Sequence, residues 1–127
     1  TAPSMFLMYL GVNKRLDRLA HHNLYFQPDW NVHFDAIFKR PAWPEDPCFY
    51  VSCITKTDPG MAPPGCENVF VLVPVAAGME DGDAAREGYA EKVVSHVERI
   101  TLRAPCARAA RSLRRTRAPR TLSRRIG

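Results

Sequence analysis

Residues 57–75 read TDPGMAPPGCENVFVLVPV, and the change of character inside that stretch decides the fold. Its first half is turn-forming. Asp58-Pro59-Gly60 and Ala62-Pro63-Pro64-Gly65 supply two glycines that allow positive φ, and prolines that fix φ and withhold a donor. Its second half, residues 69–75, is apolar and mostly β-favouring. Just upstream, residues 49–54 (FYVSCI) form another short β-favouring run, bounded by Pro47 and by Thr57-Asp58-Pro59. The pattern predicts a strand, a long structured loop and a second strand. The connection spans 14 residues, 55–68, and loops of that length in compact domains tend to carry function.

Working outward, residues 4–12 read as a strand buried on both faces, because their apolar residues are consecutive, with Gly11 ending the run. Residues 13–19 alternate charge with leucine and suggest a polar loop or one helical turn. Leu24-Tyr25-Phe26 predicts a second strand, stopped at Pro28. Val32, Phe34, Ile37 and Phe38 are spaced to line one side of a short helix, with Asp29 or Asn31 near its start. Pro41, Pro44 and Pro47 then impose an extended connection in which Trp43 plugs apolar surface. After the central strand pair, residues 78–83 form an acidic loop. A helix from Ala84 follows, with Tyr89, Val93, Val97 and Ile100 on one face and Glu91, Ser95 and Glu98 elsewhere. Glu80, Asp81 and Asp83 suit its N-terminus. The fold class is α+β. Two strands without alternation ask for cover on both faces, yet the chain offers one clearly amphipathic helix and one short one. The remaining cover has to come from elsewhere, self-association being one source.

Charge is unevenly spread. Residues 1–101 hold nine Lys/Arg and thirteen Asp/Glu, whereas residues 102–127 hold nine Arg and no acid. The chain reads as a mildly acidic domain, 1–101, joined to an arginine-rich, low-complexity tail, 102–127. The four cysteines, Cys48, Cys53, Cys66 and Cys106, include no Cys-x-x-Cys pair, so reduced thiols in a cytosolic protein are the simplest reading and no metal site is expected. The apolar run at residues 5–10 is far short of the about 20 residues a membrane-spanning helix needs.

Residues 50–75, YVSCITKTDPGMAPPGCENVFVLVPV, carry a family resemblance as well. Their Thr-Asp-Pro loop, Ala-Pro-Pro-Gly-Cys turn and Val-Leu-Val-Pro-Val strand resemble a segment of the bacterial phytoene desaturases. Met5-Phe6-Leu7-Met8-Tyr9-Leu10-Gly11-Val12 and Leu19-Ala20-His21-His22-Asn23-Leu24-Tyr25-Phe26 agree in the same order, and the resemblance runs from about residue 3 to about residue 100. It implies a fragment of the mixed-sheet substrate domain of an amine-oxidase-like FAD oxidoreductase. It further implies FAD as cofactor in the full-length enzyme, a C40 carotenoid precursor (phytoene toward lycopene) as substrate, and peripheral attachment of a cytoplasmic protein to a membrane. The Gly-x-Gly-x-x-Gly fingerprint that cradles a dinucleotide pyrophosphate is not in this sequence, so no cofactor-binding residue is assigned and the chain alone is expected to be inactive.

For the substrate channel the candidates are Phe6, Met8, Tyr50, Asp58, Phe70 and Leu72, with ordinary core as the alternative for the apolar five and an Asx-type turn for Asp58. Catalytic residues are not identified; no Ser/His/Asp set or carboxylate pair stands out. His21 and His22, adjacent on a strand, should diverge and not share an ion. Glu67 and Asn68 are read as capping the turn into the strand. The tail lacks lysine and aromatics, and the resemblance stops where composition changes. A shifted reading frame after codon 101 explains both, and no nucleic-acid partner is expected. The competing reading is a basic module that binds nucleic acid through residues 102–127.

Overall fold

In the computed structural model, residues 2–101 are described. The arginine-rich stretch, together with the reading-frame and nucleic-acid readings attached to it, lies outside the described residues. Six principal elements follow in order: β1 (Ser4–Val12), β2 (His22–Tyr25), α1 (Trp30–Phe38), β3 (Phe49–Cys53), β4 (Glu67–Val75) and α2 (Asp83–Thr101). The four strands form one sheet in the order β1-β4-β3-β2. All described pairings are antiparallel, with Met8 and Val51 both opposite Val71. The class is α+β. Among the described helices, none is long and apolar enough to cross a membrane.

The long β3–β4 connection is structured by two 3₁₀ turns, Ile54–Lys56 and Pro59–Met61. Gly65 takes φ 79°, as the turn chemistry requires, whereas Gly60 has no positive φ because Asp58 and Pro59 form the turn. Asp58 is the Asx-type residue expected, its Oδ1 accepting the Gly60 amide at 3.1 Å.

One sheet face makes the core. Val51, Val69, Val71 and Val73 are wholly buried there, joined by Phe49, Cys53 and Val12. From α2 the side chains of Tyr89, Val93 and Val97 close that face, at the spacing the sequence predicts. Leu16 and Leu19, from the nominally polar β1–β2 connection, are buried in the same cluster. Trp43 plugs its edge, 4.6 Å from the Tyr89 ring and 5.8 Å from Phe6.

Two expectations are corrected. β1 is not buried on both faces: Phe6, Met8 and Leu10 pack against the core, while Met5, Leu7 and Tyr9 are 58%, 42% and 71% exposed. In β4 burial also alternates strictly, so the period of two was present but hidden by the unbroken apolar run from Val69 to Val75. The second concerns α1. Asp29 caps it, accepting the Asn31 amide, but its buried residues are His33 and Ile37; Val32, Phe34 and Phe38 face out. The side that docks is set by His33, whose Nε2 donates to the Pro74 carbonyl at 2.8 Å and whose Nδ1 accepts the Cys48 amide at 2.7 Å. A histidine satisfied at both nitrogens takes that contact in place of phenylalanine.

Candidate functional site

The face that α2 leaves uncovered is apolar and aromatic. The register places Met5, Leu7 and Tyr9 of β1, Phe70 and Leu72 of β4, Tyr50 of β3, and His22 and Leu24 of β2 on it. Across it runs a row of rings that crosses all four strands. Tyr9 lies 5.1 Å from Phe70, Phe70 lies 6.3 Å from Tyr50, and Tyr50 stacks on His22 at 6.0 Å. His22 in turn stacks on His21 at 4.1 Å. The row grades from phenol and phenyl at the β1 edge to imidazole at the β2 edge. Between neighbouring strands the backbone polar groups are taken up in the ladders, so this surface offers π-faces and aliphatic groups to a long flat ligand.

The channel candidates therefore divide. Tyr50, Phe70 and Leu72 come together on the open face. Phe6 and Met8 lie on the opposite one, against the core, and Asp58 sits in the β3–β4 loop with its carboxylate turned to its own backbone. Leu7, Tyr9, Leu24 and the histidines share the open face and were not among the candidates. Parity was the missed signal: once residues 67, 69, 71, 73 and 75 are inward, every partner's face is fixed.

His21 and His22 do not diverge. His21 stands in the bend before β2, outside the alternation of the strand, and two hydroxyls hold the rings parallel. The Nδ1 of His21 is 2.7 Å from Thr57 Oγ1, and the Nδ1 of His22 is 2.7 Å from the Tyr50 hydroxyl. Among the described residues no group of three or more metal-ligating side chains gathers.

On the core face, Glu67 is a buried anion rather than a turn cap. Its carboxylate is fully covered and receives Lys56 Nζ at 2.8 Å, the Leu16 amide and Arg15 Nε at 3.3 Å, the Cys53 thiol at 3.4 Å, and the Thr55 hydroxyl. Burial pushes its pKa up, but hydrogen bonds from Lys56, Thr55, Leu16 and Cys53 outweigh that and hold the carboxyl at about 2. The Cys53 thiol is shifted up by burial, with Thr55 opposing and the Glu67 charge adding. This cage ties β3, the β1–β2 connection and the β3–β4 loop to one point on β4, and its groups bond one another. Its work is structural.

The chain matches known proteins in sequence. Over 96 residues, 76% of this chain and 19% of the relative, it is 51% identical to a carotenoid 3,4-desaturase of Haloarcula japonica. Over 85 residues, 67% of this chain and 16% of the relative, it is 44% identical to a zeta-carotene-forming phytoene desaturase of Myxococcus xanthus. A lycopene-forming phytoene desaturase of Pseudescherichia vulneris is 40% identical over 86 residues, again 67% of this chain and 18% of the relative. The chain carries a segment of the phytoene desaturase family. It spans about a fifth of the length of these curated relatives. No family model matches it.

The described residues do not fit a dinucleotide. The strand-to-helix junction from β4 to α2 is where a pyrophosphate would meet a helix N-terminus. It carries Glu80, Asp81 and Asp83, with Arg86 already paired to Asp81 at 2.5 Å. Three carboxylates there repel a diphosphate.

Proposed function

We propose that this segment forms one wall of the substrate channel of a carotenoid desaturase, with the open face of the sheet lying along the polyene. What carries the reading is the ring row from Tyr9 through Phe70 and Tyr50 to His22, laid across a sheet whose other face is a complete core. A hydrocarbon chain has no polar handle until its ends, so binding must come from apolar burial and stacking, which this surface supplies. The substrate is a C40 carotenoid precursor, with the phytoene-to-lycopene series the form implied by resemblance. The residues present position the chain and exclude water. Flavin, peripheral contact with the membrane that dissolves the substrate, and the oxidation itself belong to parts of the enzyme outside this segment. The 127-residue chain alone is accordingly silent as a catalyst.

Binding tests it directly. The chain is mixed with phosphatidylcholine vesicles holding a coloured acyclic carotenoid, and pigment transferred to protein is measured. The unaltered chain takes up pigment, and Phe70→Asp abolishes uptake while leaving the cooperative melt in place. Uptake unaffected by Phe70→Asp overturns the assignment of this face.

A further inference from the structure

One ridge of side chains belongs neither to the core cluster nor to the ring row. Trp30, Phe34 and Phe38 recur at every fourth residue of α1 and are 48%, 44% and 56% exposed. Their rings touch in sequence, Trp30 edge-on to Phe34 at 5.2 Å and Phe34 tilted against Phe38 at 6.1 Å, so the ridge is ordered before anything meets it. Charge brackets it. Asp29, the cap of the helix, stands before the ridge, and Lys39 and Arg40 stand after it.

We infer that α1 pairs antiparallel with α1 of a second copy of this chain. Residues four apart make the row that fits the grooves of a facing helix. A two-fold axis at Phe34 sets the two Phe34 rings together, Trp30 opposite Phe38, and Asp29 opposite Lys39, the last two contacts each made twice. The ridge is thus complementary to itself in shape and in charge, whereas parallel pairing would set Asp29 on Asp29 and Lys39 on Lys39. Lys39 is held only by the exposed pair with Asp35 on its own helix, a weak tie that leaves it able to reach across. A lipid surface suits the ridge less well. Helices that lie in a membrane interface carry Lys and Arg along the polar face, and here Asp29 and Asp35 intervene. Three rings, each with about half of its ~200 Å² free, supply about 300 Å² per copy. That is under half of the about 800 Å² per partner in a stable interface, so the contact forms and parts reversibly, with a dissociation constant on the order of 100 μM.

Sedimentation equilibrium tests it on the full chain carrying Leu7→Lys and Tyr9→Lys, which silence the open sheet face. That protein should remain a concentration-dependent mixture of monomer and dimer. Adding Phe34→Glu, which brings two carboxylates together on the axis, should weaken dimerisation at least about tenfold. Lys39→Glu should weaken it about threefold by setting like charges opposite each other, and Asp29→Asn, which keeps a capping side chain, should restore most of that loss. Within one copy these two positions lie about 15 Å apart along the helix, so the rescue reports a contact between copies. If the two lysines unfold the chain, Phe34→Glu and the rescue are read as changes in mean mass on the unaltered background. A monomer at every concentration, or self-association indifferent to Phe34→Glu, overturns the inference. So does binding to phosphatidylcholine vesicles that Phe34→Glu abolishes while self-association persists, an outcome that gives the ridge to a lipid surface.

Discussion

Glu67 is the residue on which most of the local order converges. A carboxyl held at about 2, against 4.5 in a free side chain, binds its proton more weakly folded than unfolded. Its contribution is therefore complete above pH 4.5 and is lost as pH falls toward 2. Urea denaturation across that window should show falling stability, and Glu67→Gln should remove that slope. At neutral pH the same substitution leaves the mostly enclosed Lys56 without its anion and should cost about 3–5 kcal/mol. Arg15→Ala, which removes a largely exposed partner, should cost under about 1 kcal/mol. Tyr89 behaves in the opposite sense. Its hydroxyl is buried with no hydrogen-bond partner among the described residues, and burial, with the Glu45 charge, pushes its pKa up. Tyr89→Phe deletes an unmatched polar atom and keeps the ring against Phe6 and Trp43, so the melting temperature should hold or rise.

At the scale of elements, α1 depends on one side chain. His33 bonds the Pro74 carbonyl, which lies beyond the reach of β3's ladder, and the Cys48 amide at the entry to β3. His33→Leu fills similar space but strands both backbone groups. Amide exchange should then quicken across Trp30–Phe38 while α2 stays protected; equal quickening in both helices would refute α1 as a separately anchored unit. The same helix shows where sequence reading stops. Both helices, all four strands and the Asp58 turn are legible from propensity, caps and proline placement, and in α2 spacing alone names the buried face. In α1 spacing names Ile37 rightly but Val32, Phe34 and Phe38 wrongly, because no apolar count reveals a histidine with two waiting backbone partners. In β1 and β4 the uninterrupted apolar run conceals which parity is inward. Of the eight residues on the open face, Tyr50, Phe70 and Leu72 were legible. Leu7, Tyr9 and the stacked imidazoles required the register, which long-range pairing sets.

Across the whole molecule, a complete core on one side of the sheet stands against an uncovered apolar surface on the other. The core needs nothing from that surface: the valines facing α2 are fully buried without it, and Leu16, Leu19 and Trp43 seal the margins. Folding and cover are therefore separable. Monomeric domains seldom expose a contiguous apolar area of this kind unless it meets a ligand, a partner or more of the same protein. Tyr9 and Leu7 lie on β1, an edge strand, where an exposed apolar row also invites pairing with a second copy. Replacing both with lysine should leave the urea midpoint within about 0.5 kcal/mol of the unaltered protein, since neither side chain touches the core. The same change should lower the binding of a hydrophobic dye and shift sedimentation toward monomer. If the unaltered chain were already monomeric and blind to the dye, the open face would be covered by something within the chain itself, and its role as a binding wall would fall. If instead the lysines unfolded the domain, the separation of core from cover would be wrong.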